Sequence, residues 1–346
     1  MLAEPPVIVN GRFRAQLVTG VQRYGIEVTR RLADRTLTLS PAVSLPWGIG
    51  HVWEQAVLPL KLPTRALLWS PGGSGPLSVR RHVLTITDVA VLEHPEWYGR
   101  AYGRWYGWLW PRLVPRAAAI ITISRFSKER IVEVLGVREE SVHVTPLGVD
   151  ASWTGGDEGD REVRAAYDLD RPYLLCVAAV SPRKNFRRVL DAWRTVQRQL
   201  DDVSLVIVGK TGLPFSPGRD FDLNVPGVRL LGYVPDSDLG ALYRGAVAFV
   251  YPSLYEGFGL PVLEAMACGT PVVTSCVTAL PEVAGDAAIT VDPYSVGEIA
   301  DALTLIVRDG SLRAALRERG QARARAFSWE ACAEKTWQVL SSTRGP

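Results

Sequence analysis

The feature that most limits the fold of this chain is a regular alternation of short β-branched runs with amphipathic, helix-like stretches. Four strand-length runs lie in the first part of the chain: Val7–Asn10, His82–Asp88, Ala119–Ser124 and Val142–Pro146. A second series starts at Tyr173–Val180. Strands that alternate with helices are typical of parallel sheets with helices on both faces. The pattern therefore predicts an α/β fold.

The strands are too numerous for one sheet of ordinary size. Between the two series lies Thr154–Arg171, a polar stretch rich in Gly and Asp. We place a boundary near residue 170 and predict two doubly wound, Rossmann-like domains, 1–170 and 171–328, followed by a helix behind Ser328. Ligands of such folds bind outside the carboxyl ends of the strands, so we expect a site in a cleft between the facing domains.

Composition excludes several classes of protein. Of 346 residues, 47% are hydrophobic and 22% are charged, which is typical of a globular chain and not of a disordered one. No apolar stretch reaches the ~18 residues of a transmembrane helix, and Met1–Asn10 lacks a signal-peptide pattern. The net charge of +3 is too small to indicate nucleic acid as a partner. Four cysteines without Cys-x-x-Cys spacing favour a reducing, cytoplasmic location.

The segment Tyr255–Val273 carries the richest motif. Gly257 and Gly259 form a loop at the start of a predicted helix, where backbone N–H groups can bind an anion. Glu256 and Glu264 flank this loop with seven residues between them. Carboxylates accept paired hydrogen bonds from vicinal hydroxyls, which favours a sugar or ribose ligand. The alternative is two solvent-exposed glutamates beside a tight turn.

Two further segments could contact phosphate. Arg183 and Lys184 lie directly after the predicted strand Tyr173–Val180, in a strand–loop–helix turn that suits a diphosphate. The alternative is a solvated basic loop. Gly20 precedes the first predicted helix and could admit a phosphate or sugar close to the backbone.

Together these segments resemble the retaining GT-B glycosyltransferases called family 4, and within it the bacterial mannosyl- and rhamnosyltransferases of surface-polysaccharide assembly. The resemblance extends over nearly the whole chain. Its most specific part is the Glu-x7-Glu block in its Gly-Phe-Gly-Leu-Pro context. It also includes Trp53–Gln55, Ile123–Ser127, Pro146–Asp150, Pro182–Asn185, Gly232–Leu239, Ala279–Asp286 and Phe327–Glu330.

The resemblance implies that the C-terminal domain binds a nucleotide-diphosphate sugar. Glu264 would hold the ribose hydroxyls, and Glu256 the hydroxyls of the transferred sugar. Lys184, with Arg183 beside it, would neutralise the diphosphate. The helping backbone N–H groups would be those of Gly257, Phe258, Gly259 and Leu260.

The resemblance also implies roles for the N-terminal domain. Gly20 would let this domain approach the same phosphates, and the helix 329–346 would cross back onto it. The chain departs from the family pattern at Ala178 or Ala179, where many members have an arginine, and at Thr87, where many have a histidine. Arg183 could supply part of the missing charge. Asp88 is an acceptor-side or sugar contact with a candidate catalytic role, or simply a helix cap.

No metal ion or other cofactor is expected. The three Asp-x-Asp pairs, at 168–170, 220–222 and 236–238, do not follow a buried strand, where a metal-dependent nucleotide-sugar enzyme would need the motif. The four histidines have no ligand spacing. A fixed cation and a helix N-terminus can stabilise a leaving diphosphate without metal.

The segment Trp97–Arg116 is unusually aromatic and basic. Seven of the 14 residues from Trp97 to Trp110 are aromatic, arginines interleave with them, and no acidic residue occurs in the segment. We consider three interpretations: an amphipathic helix packed on the N-terminal core, a peripheral contact with the inner membrane face or a lipid-linked acceptor, and a surface that stacks on a glycan.

The predicted function is a retaining, metal-independent glycosyltransferase that acts on a glycan or lipid-linked acceptor in polysaccharide biosynthesis. Mannose from GDP-mannose is the first choice of donor, because the Pro-Arg-Lys-Asn turn resembles that of such enzymes. The family outcome is retention, by a front-face mechanism in which the departing phosphate helps to deprotonate the acceptor. Two alternatives remain: a GT-B glycosyl phosphorylase or epimerase, and a non-catalytic glycan- or nucleotide-binding protein.

Overall fold

The structure, a computed structural model, describes residues 6–16, 18–155, 159–177, 181–209 and 225–344. These residues form two sheets of six strands each, and all the strand pairs are parallel. The predicted α/β class is confirmed. Among the described residues, no helix combines the length and the apolar character that crossing a bilayer requires.

The first sheet has the strand order β2-β1-β3-β4-β5-β6. Its strands are β1 (Val7–Asn10), β2 (Leu37–Leu39), β3 (Leu67–Ser70), β4 (His82–Thr85), β5 (Ala119–Thr122) and β6 (Val142–Val144). The helices connecting them are α1 (Gly20–Arg31), α2 (Trp47–Val52), α3 (Ala90–Glu93), α4 (Arg100–Leu113) and α5 (Arg125–Leu135). Every residue of β1, β3, β4 and β5 is buried, as expected for parallel strands with helices on both faces.

The second sheet has the order β12-β11-β10-β7-β8-β9. Its strands are β7 (Tyr173–Val177), β8 (Ser204–Val208), β9 (Val228–Gly232), β10 (Ala248–Tyr251), β11 (Val272–Ser275) and β12 (Ala288–Val291). The helices in this part of the chain are α6 (Asp160–Ala166), α7 (Phe186–Val196), α8 (Asp236–Gly245), α9 (Leu260–Ala267), α10 (Leu280–Ala284), α11 (Val296–Arg308), α12 (Gly310–Ala324) and α13 (Trp329–Arg344).

Short turns of other helix types complete the secondary structure. A π-helical turn, Trp53–Val57, directly follows α2. The 3-10 turns are Gly11–Ala15, Pro59–Lys61, Pro95–Trp97, Val114–Arg116, Glu139–Ser141, Ala151–Thr154, Pro182–Lys184 and Gln197–Gln199.

Local sequence explains where several helices begin and end. The Ser124 hydroxyl accepts a hydrogen bond from Ser127 N at 2.9 Å and so caps α5, which ends at Gly136 with a left-handed φ of 62°. Asp236 and Ser237 are residue types that commonly cap helices, but neither of them caps α8. Pro235 precedes the helix in an extended conformation, and Asp236 is already its first residue, where its charge favours the positive end of the helix dipole.

The chain divides into two compact units, and neither is continuous in sequence. The first consists of the described residues of 6–93, 101–148 and 328–344, and the second of those of 94–100 and 149–327. The second unit therefore starts nearer to Val149 than to the expected boundary at residue 170, because α6 packs against α8. In the first unit, α13 packs against α1, β3 and β5.

The strand order fixes one special position in each sheet. The strand β1, second in its sheet, pairs with both β2 and β3, so the connections on its two sides lead in opposite directions. The same reversal occurs at β7, between β8 and β10. Ligands of open α/β sheets bind outside the carboxyl ends of the strands at such a switch point. The topology therefore predicts one site beyond β1 and β3 and another beyond β7 and β10.

Gly148 provides a test of how closely α13 packs in the first unit. A Cβ on Gly148 would lie 2.0 Å from Trp329 N and 2.2 Å from the Ser328 carbonyl carbon, and this backbone cannot yield cheaply. We expect Gly148→Ala to lower the free energy of unfolding by about 1–3 kcal/mol.

Gly107→Ala is the control, because this exposed glycine of α4 has open space for a Cβ. It should stabilise by about 0.5–1 kcal/mol. Urea unfolding curves measure both changes, and equal effects would contradict this account.

Candidate functional site

The turn after β7 is held rigidly in the second unit. Asn185 ends the 3-10 turn Pro182–Lys184 in a left-handed conformation, with φ of 61°. Its buried side-chain amide donates to Pro252 O at 2.9 Å and to Pro293 O at 2.7 Å. Leu254 N donates to Arg183 O at 2.8 Å. These hydrogen bonds link the turn to the loop that follows β10 and to Pro293.

Three side chains meet at the switch point of the second sheet. Lys184 Nζ donates to Glu256 Oε1 at 2.5 Å and to the hydroxyl of Tyr251, the last residue of β10. The Tyr251 hydroxyl donates to the same Glu256 oxygen at 2.9 Å. The exposed fraction is only 11% for the Lys184 side chain and 8% for that of Glu256. The structure therefore brings two of the predicted site residues into one buried ion pair.

The surrounding charges keep Glu256 ionised. Burial by itself would raise the pKa of this carboxyl, but the charges of Lys184 and Arg183 outweigh burial and lower the pKa to about 2. Burial, followed by the Glu256 charge, raises the pKa of Tyr251 well above its ordinary value. A neutral tyrosine and an ionised glutamate therefore share the Lys184 ammonium at neutral pH.

The glycine loop leads directly into α9. Gly259 has a φ of 103°, and a Cβ at this position would lie 2.5 Å from Leu280 Cδ2, so the loop requires glycine here. Phe258 is buried and packs edge-on against Phe327, with ring centroids 5.7 Å apart. Glu264 lies inside α9 and is only 5% exposed. The alternative of two solvent-exposed glutamates is therefore wrong.

Two predicted site residues belong to the first unit. Gly20 is the exposed first residue of α1 and has open space around the position of a Cβ. Asp88 Oδ1 accepts a hydrogen bond from Ala90 N at 3.0 Å, so Asp88 does cap α3. Their roles toward a ligand stay predictions. Ala178, Ala179 and the pair 220–222 lie outside the described residues.

The aromatic segment Trp97–Arg116 divides between two environments. In α4, Tyr106, Leu109, Trp110 and Leu113 are buried in the first unit, as the packing interpretation predicts. Trp97 instead stacks on His94 in the second unit, with centroids 3.9 Å apart, and both rings meet Tyr255 edge-on.

Comparison with known protein families shows to which enzyme family this chain belongs. A family model described as glycosyl transferases group 1 matches residues 160–323, and one described as glycosyltransferase family 4 matches residues 64–153. O-antigen chain mannosyltransferase B of Escherichia coli is 35% identical over 269 residues, which cover 75% of this chain and 70% of that protein. The chain belongs to the group 1 glycosyltransferases. The sequence-based assignment to this enzyme family is confirmed.

Other similar proteins include longer ones. The serotype-specific mannosyltransferase WbdA of Escherichia coli is 29% identical over 223 residues, and the match spans 62% of this chain but only 27% of WbdA. Among solved structures, sucrose-phosphate synthase from Thermosynechococcus elongatus has a TM-score of 0.76 at 19% identity, with 98% of both chains covered. HepE from Anabaena, in complex with UDP-glucose, has a TM-score of 0.71 at 17% identity, with 98% of this chain and 100% of that chain covered. These likenesses confirm the predicted GT-B fold.

A second buried carboxylate distinguishes the first unit of this glycosyltransferase. Glu54, in the π-helical turn, is fully buried. It accepts hydrogen bonds from Asn10 Nδ2 at 2.6 Å and Ser74 Oγ at 3.0 Å, and Arg12 Nε lies 3.3 Å away. Burial alone would raise the pKa of Glu54, but Arg12 and the hydrogen bonds lower it to about 2. This cluster lies beyond β1, at the switch point of the first sheet.

Sequence reasoning assigned no role to this cluster. Its members are far apart in the chain, and of them only Glu54, in Trp53–Gln55, belongs to a segment of the family resemblance. The available signal was the position of Asn10 at the end of a buried strand, combined with an arginine two residues later. The strand order was also needed, because Asn10 Nδ2 donates to Ser70 Oγ at 3.1 Å across the β1–β3 pair.

The Lys184–Glu256 pair predicts how stability depends on pH. Glu256→Gln leaves the Lys184 ammonium buried without its partner charge, so we expect a loss of about 3–5 kcal/mol at pH 7. The folded-state pKa of Glu256 is lowered, so its contribution is complete above the unfolded-state pKa and is lost as the pH falls toward 2. The difference from wild type should shrink between about pH 5 and pH 2.

Urea midpoints at pH 7 and pH 3 measure this effect. Glu318→Gln, at an exposed glutamate of α12, is the matched control and should leave both midpoints nearly unchanged. The assigned pairing is wrong if the Glu256→Gln deficit is the same at the two pH values.

Proposed function

We propose that this glycosyltransferase is a retaining, metal-independent enzyme that transfers mannose from GDP-mannose to a glycan or lipid-linked acceptor in polysaccharide biosynthesis. One observation carries the proposal: the predicted donor residues Lys184 and Glu256 form a buried pair at the switch point of the second sheet, next to the N-terminal loop of α9. Ligands of such sheets bind at this position.

The diphosphate is the group that this position suits best. The first N–H groups of α9 have no intrahelical partner, and the positive end of its dipole favours an anion. In the proposed site, N–H groups of Gly257, Phe258, Gly259 and Leu260 hold the phosphates. Lys184 and the half-buried Arg183 add positive charge. A fixed cation and fixed dipoles stabilise the departing diphosphate, so the proposed reaction needs no metal ion or other cofactor.

Two carboxylates would orient the sugars of the donor. Glu264 is held inside α9, where its buried carboxylate can accept paired hydrogen bonds from ribose hydroxyls. Glu256 stays ionised beside Lys184, which makes it an acceptor for hydroxyls of the transferred sugar. Gly20 and Asp88 are the proposed contributions of the first unit, toward the phosphates and toward the acceptor or sugar.

The relatives support the choice of donor and acceptor. The similar protein from Escherichia coli is named an O-antigen chain mannosyltransferase, and the similar structure of HepE contains UDP-glucose. The first favours mannose and a polysaccharide acceptor. Both fit a nucleotide-diphosphate sugar as the co-substrate.

A thermal-shift panel tests the proposed donor site first. GDP, UDP, ADP and dTDP are each added with magnesium or with EDTA, since a ligand that binds the native state raises the melting temperature. We expect a selective shift with GDP that EDTA does not reduce. A shift that requires magnesium would overturn the metal-independent reaction. No shift with any nucleotide would favour the phosphorylase or a non-catalytic binding protein.

Two substitutions test the residue roles. Glu264→Ala should weaken GDP binding about 10- to 100-fold, because a hydrogen bond to a charged group contributes about 1.5–3 kcal/mol. Glu318→Ala, at an exposed glutamate of α12, should not change it. Lys184→Ala should lower kcat about 100-fold or more. Circular dichroism confirms folding, and full transfer activity in both site variants would refute the assignment.

Retention predicts an α-linked product from the α-linked donor, and proton NMR measures the configuration of the product directly.

We also propose that the exposed side of α4 touches an anionic membrane surface. Trp108 is 43% exposed, Arg104 and Arg112 are exposed, and the Arg112 guanidinium lies 5.1 Å from the centre of a Trp108 ring. An amphipathic helix with aromatic and basic residues suits the interface of an anionic bilayer. Such a contact would bring the enzyme to a lipid-linked acceptor.

Vesicle co-sedimentation tests this contact. Arg112→Glu should lower binding to vesicles that contain anionic phosphatidylglycerol by about fivefold or more, because each basic residue near the surface contributes about 1 kcal/mol. Arg308→Glu, in α11 of the second unit, is the control and should bind like wild type. Binding that is equal for both variants and insensitive to salt would contradict the proposal.

A further inference from the structure

A small aromatic pocket in the first unit lies outside the proposed donor site. Its volume is about 240 Å³, and its walls are formed by Trp47, Gly48, His51, Val52, Gln55, Ala56 and Trp105. The rings pack closely: the His51 centroid is 4.9 Å from that of Trp47 and 4.6 Å from that of Trp105. Clefts for drug-sized ligands have about 300–1,000 Å³, so this pocket suits a single ring.

Two polar atoms of these walls have no hydrogen-bond partner among the described residues. They are His51 Nε2 and Trp105 Nε1, and both are buried. Buried polar groups are normally paired, so an unpaired donor and an unpaired acceptor in one pocket point to a ligand that supplies the missing bonds. The third polar wall residue is already used, because Gln55 donates to Gly75 O at 2.8 Å and accepts from Leu77 N at 3.0 Å.

The hydrogen-bond network determines which kind of atom each nitrogen presents. His51 Nδ1 lies 3.3 Å from Glu54 Oε2. Because the pKa of Glu54 is lowered to about 2, the carboxylate accepts and His51 Nδ1 donates. Burial lowers the pKa of His51, so the ring is neutral and its Nε2 is an acceptor. Trp105 Nε1 is a donor. A hydroxyl group can satisfy both at once.

The pocket is connected to the switch point of the first sheet. His51 contacts Glu54, and Glu54 accepts from Asn10 at the end of β1. The π-helical turn that contains Glu54 immediately follows α2 and places His51 and Gln55 on the same pocket wall. Turns of this type occur frequently at functional sites.

We propose that this pocket binds one neutral, hydroxylated sugar ring of the glycan acceptor, with a sugar hydroxyl bonded to His51 Nε2 and Trp105 Nε1. The aromatic walls cover the apolar face of the ring. An alkyl or prenyl chain of the same size would leave both nitrogens unpaired, which disfavours a lipid tail as the occupant. This inference rests on the proposed transferase function, because it assigns an acceptor subsite.

Binding of simple glycosides without nucleotide tests the pocket directly. Methyl α-mannoside, α-rhamnoside, α-glucoside and N-acetyl-α-glucosaminide are titrated into the full chain, and the indole N–H signals are followed by 1H–15N NMR. The Trp105 signal is identified by its loss in Trp105→Phe, which keeps the ring and removes the donor. We expect at least one glycoside to shift this signal, and Trp105→Phe to weaken its binding about five- to tenfold.

Trp337→Phe is the matched control. Trp337 is a half-buried tryptophan of α13 that does not line the pocket, so its replacement should leave glycoside affinity unchanged. The proposal is overturned if the two variants bind equally. It is also overturned if no glycoside shifts the Trp105 signal, or if only octyl α-mannoside binds and leaves that signal unmoved, which would identify an apolar chain as the occupant.

The outcome can be separated from that of the proposed function. Nucleotide binding and hydrolysis of the donor in the absence of acceptor report on the proposed donor site and not on the pocket. If these persist in Trp105→Phe while KM for the glycan acceptor rises, the subsite is supported. If wild type neither binds nucleotide nor transfers sugar, the proposed function fails, whereas a Trp105-dependent glycoside site would still stand.

Discussion

Each sheet of this protein has one switch point, at β1 in the first sheet and at β7 in the second, where the strand order reverses. The positions of both buried carboxylate clusters depend on these two points. At β1 and at β7 the connections on the two sides lead away from each other, and ligands of open α/β sheets bind outside the carboxyl ends of the strands at such a point. Tyr251 ends one such strand and Asn10 another. Within the second unit, the loops that follow bring Lys184 and Glu256 together although they are remote in sequence, and within the first unit Arg12 meets Glu54 in the same way. The glycine loop and the buried ion pairs depend on this arrangement.

Both switch points solve the same electrostatic problem in a similar way. Glu54 and Glu256 are each buried, each has its pKa lowered to about 2, and each owes this to a neighbouring cation, Arg12 or Lys184. Taking a charge out of water is costly, and replacing such pairs by apolar residues often stabilises a protein. Ligands of open α/β sheets bind at switch points, so the place of both pairs agrees with the proposed role of fixing and orienting polar groups, at some expense of stability.

Much of the framework could be predicted from the sequence, and the contacts could not. The strand β1 has the bounds that its β-branched run predicts, and the Glu-x7-Glu block identifies the enzyme family. The strand β3 was missed because its residues, Leu67–Ser70, include no β-branched side chain. The helix α2 was missed because Ile49 and Val52 are exposed and obscure the helical period. The Lys184–Glu256 contact requires β7 and β10 to be neighbours, which no local pattern reveals.

The last helix has a consequence for the order of folding during synthesis. Trp329, Cys332 and Thr336 of α13 are buried, and this helix packs on α1, β3 and β5 of the first unit. Those strands leave the ribosome early, but the helix that completes their core emerges only after the whole second unit has been made. Domains generally fold as units from the N-terminus as they are synthesised. In this protein the apolar surface that α13 covers in the first unit stays exposed until α13 has been synthesised. The second unit can therefore complete its core before the first.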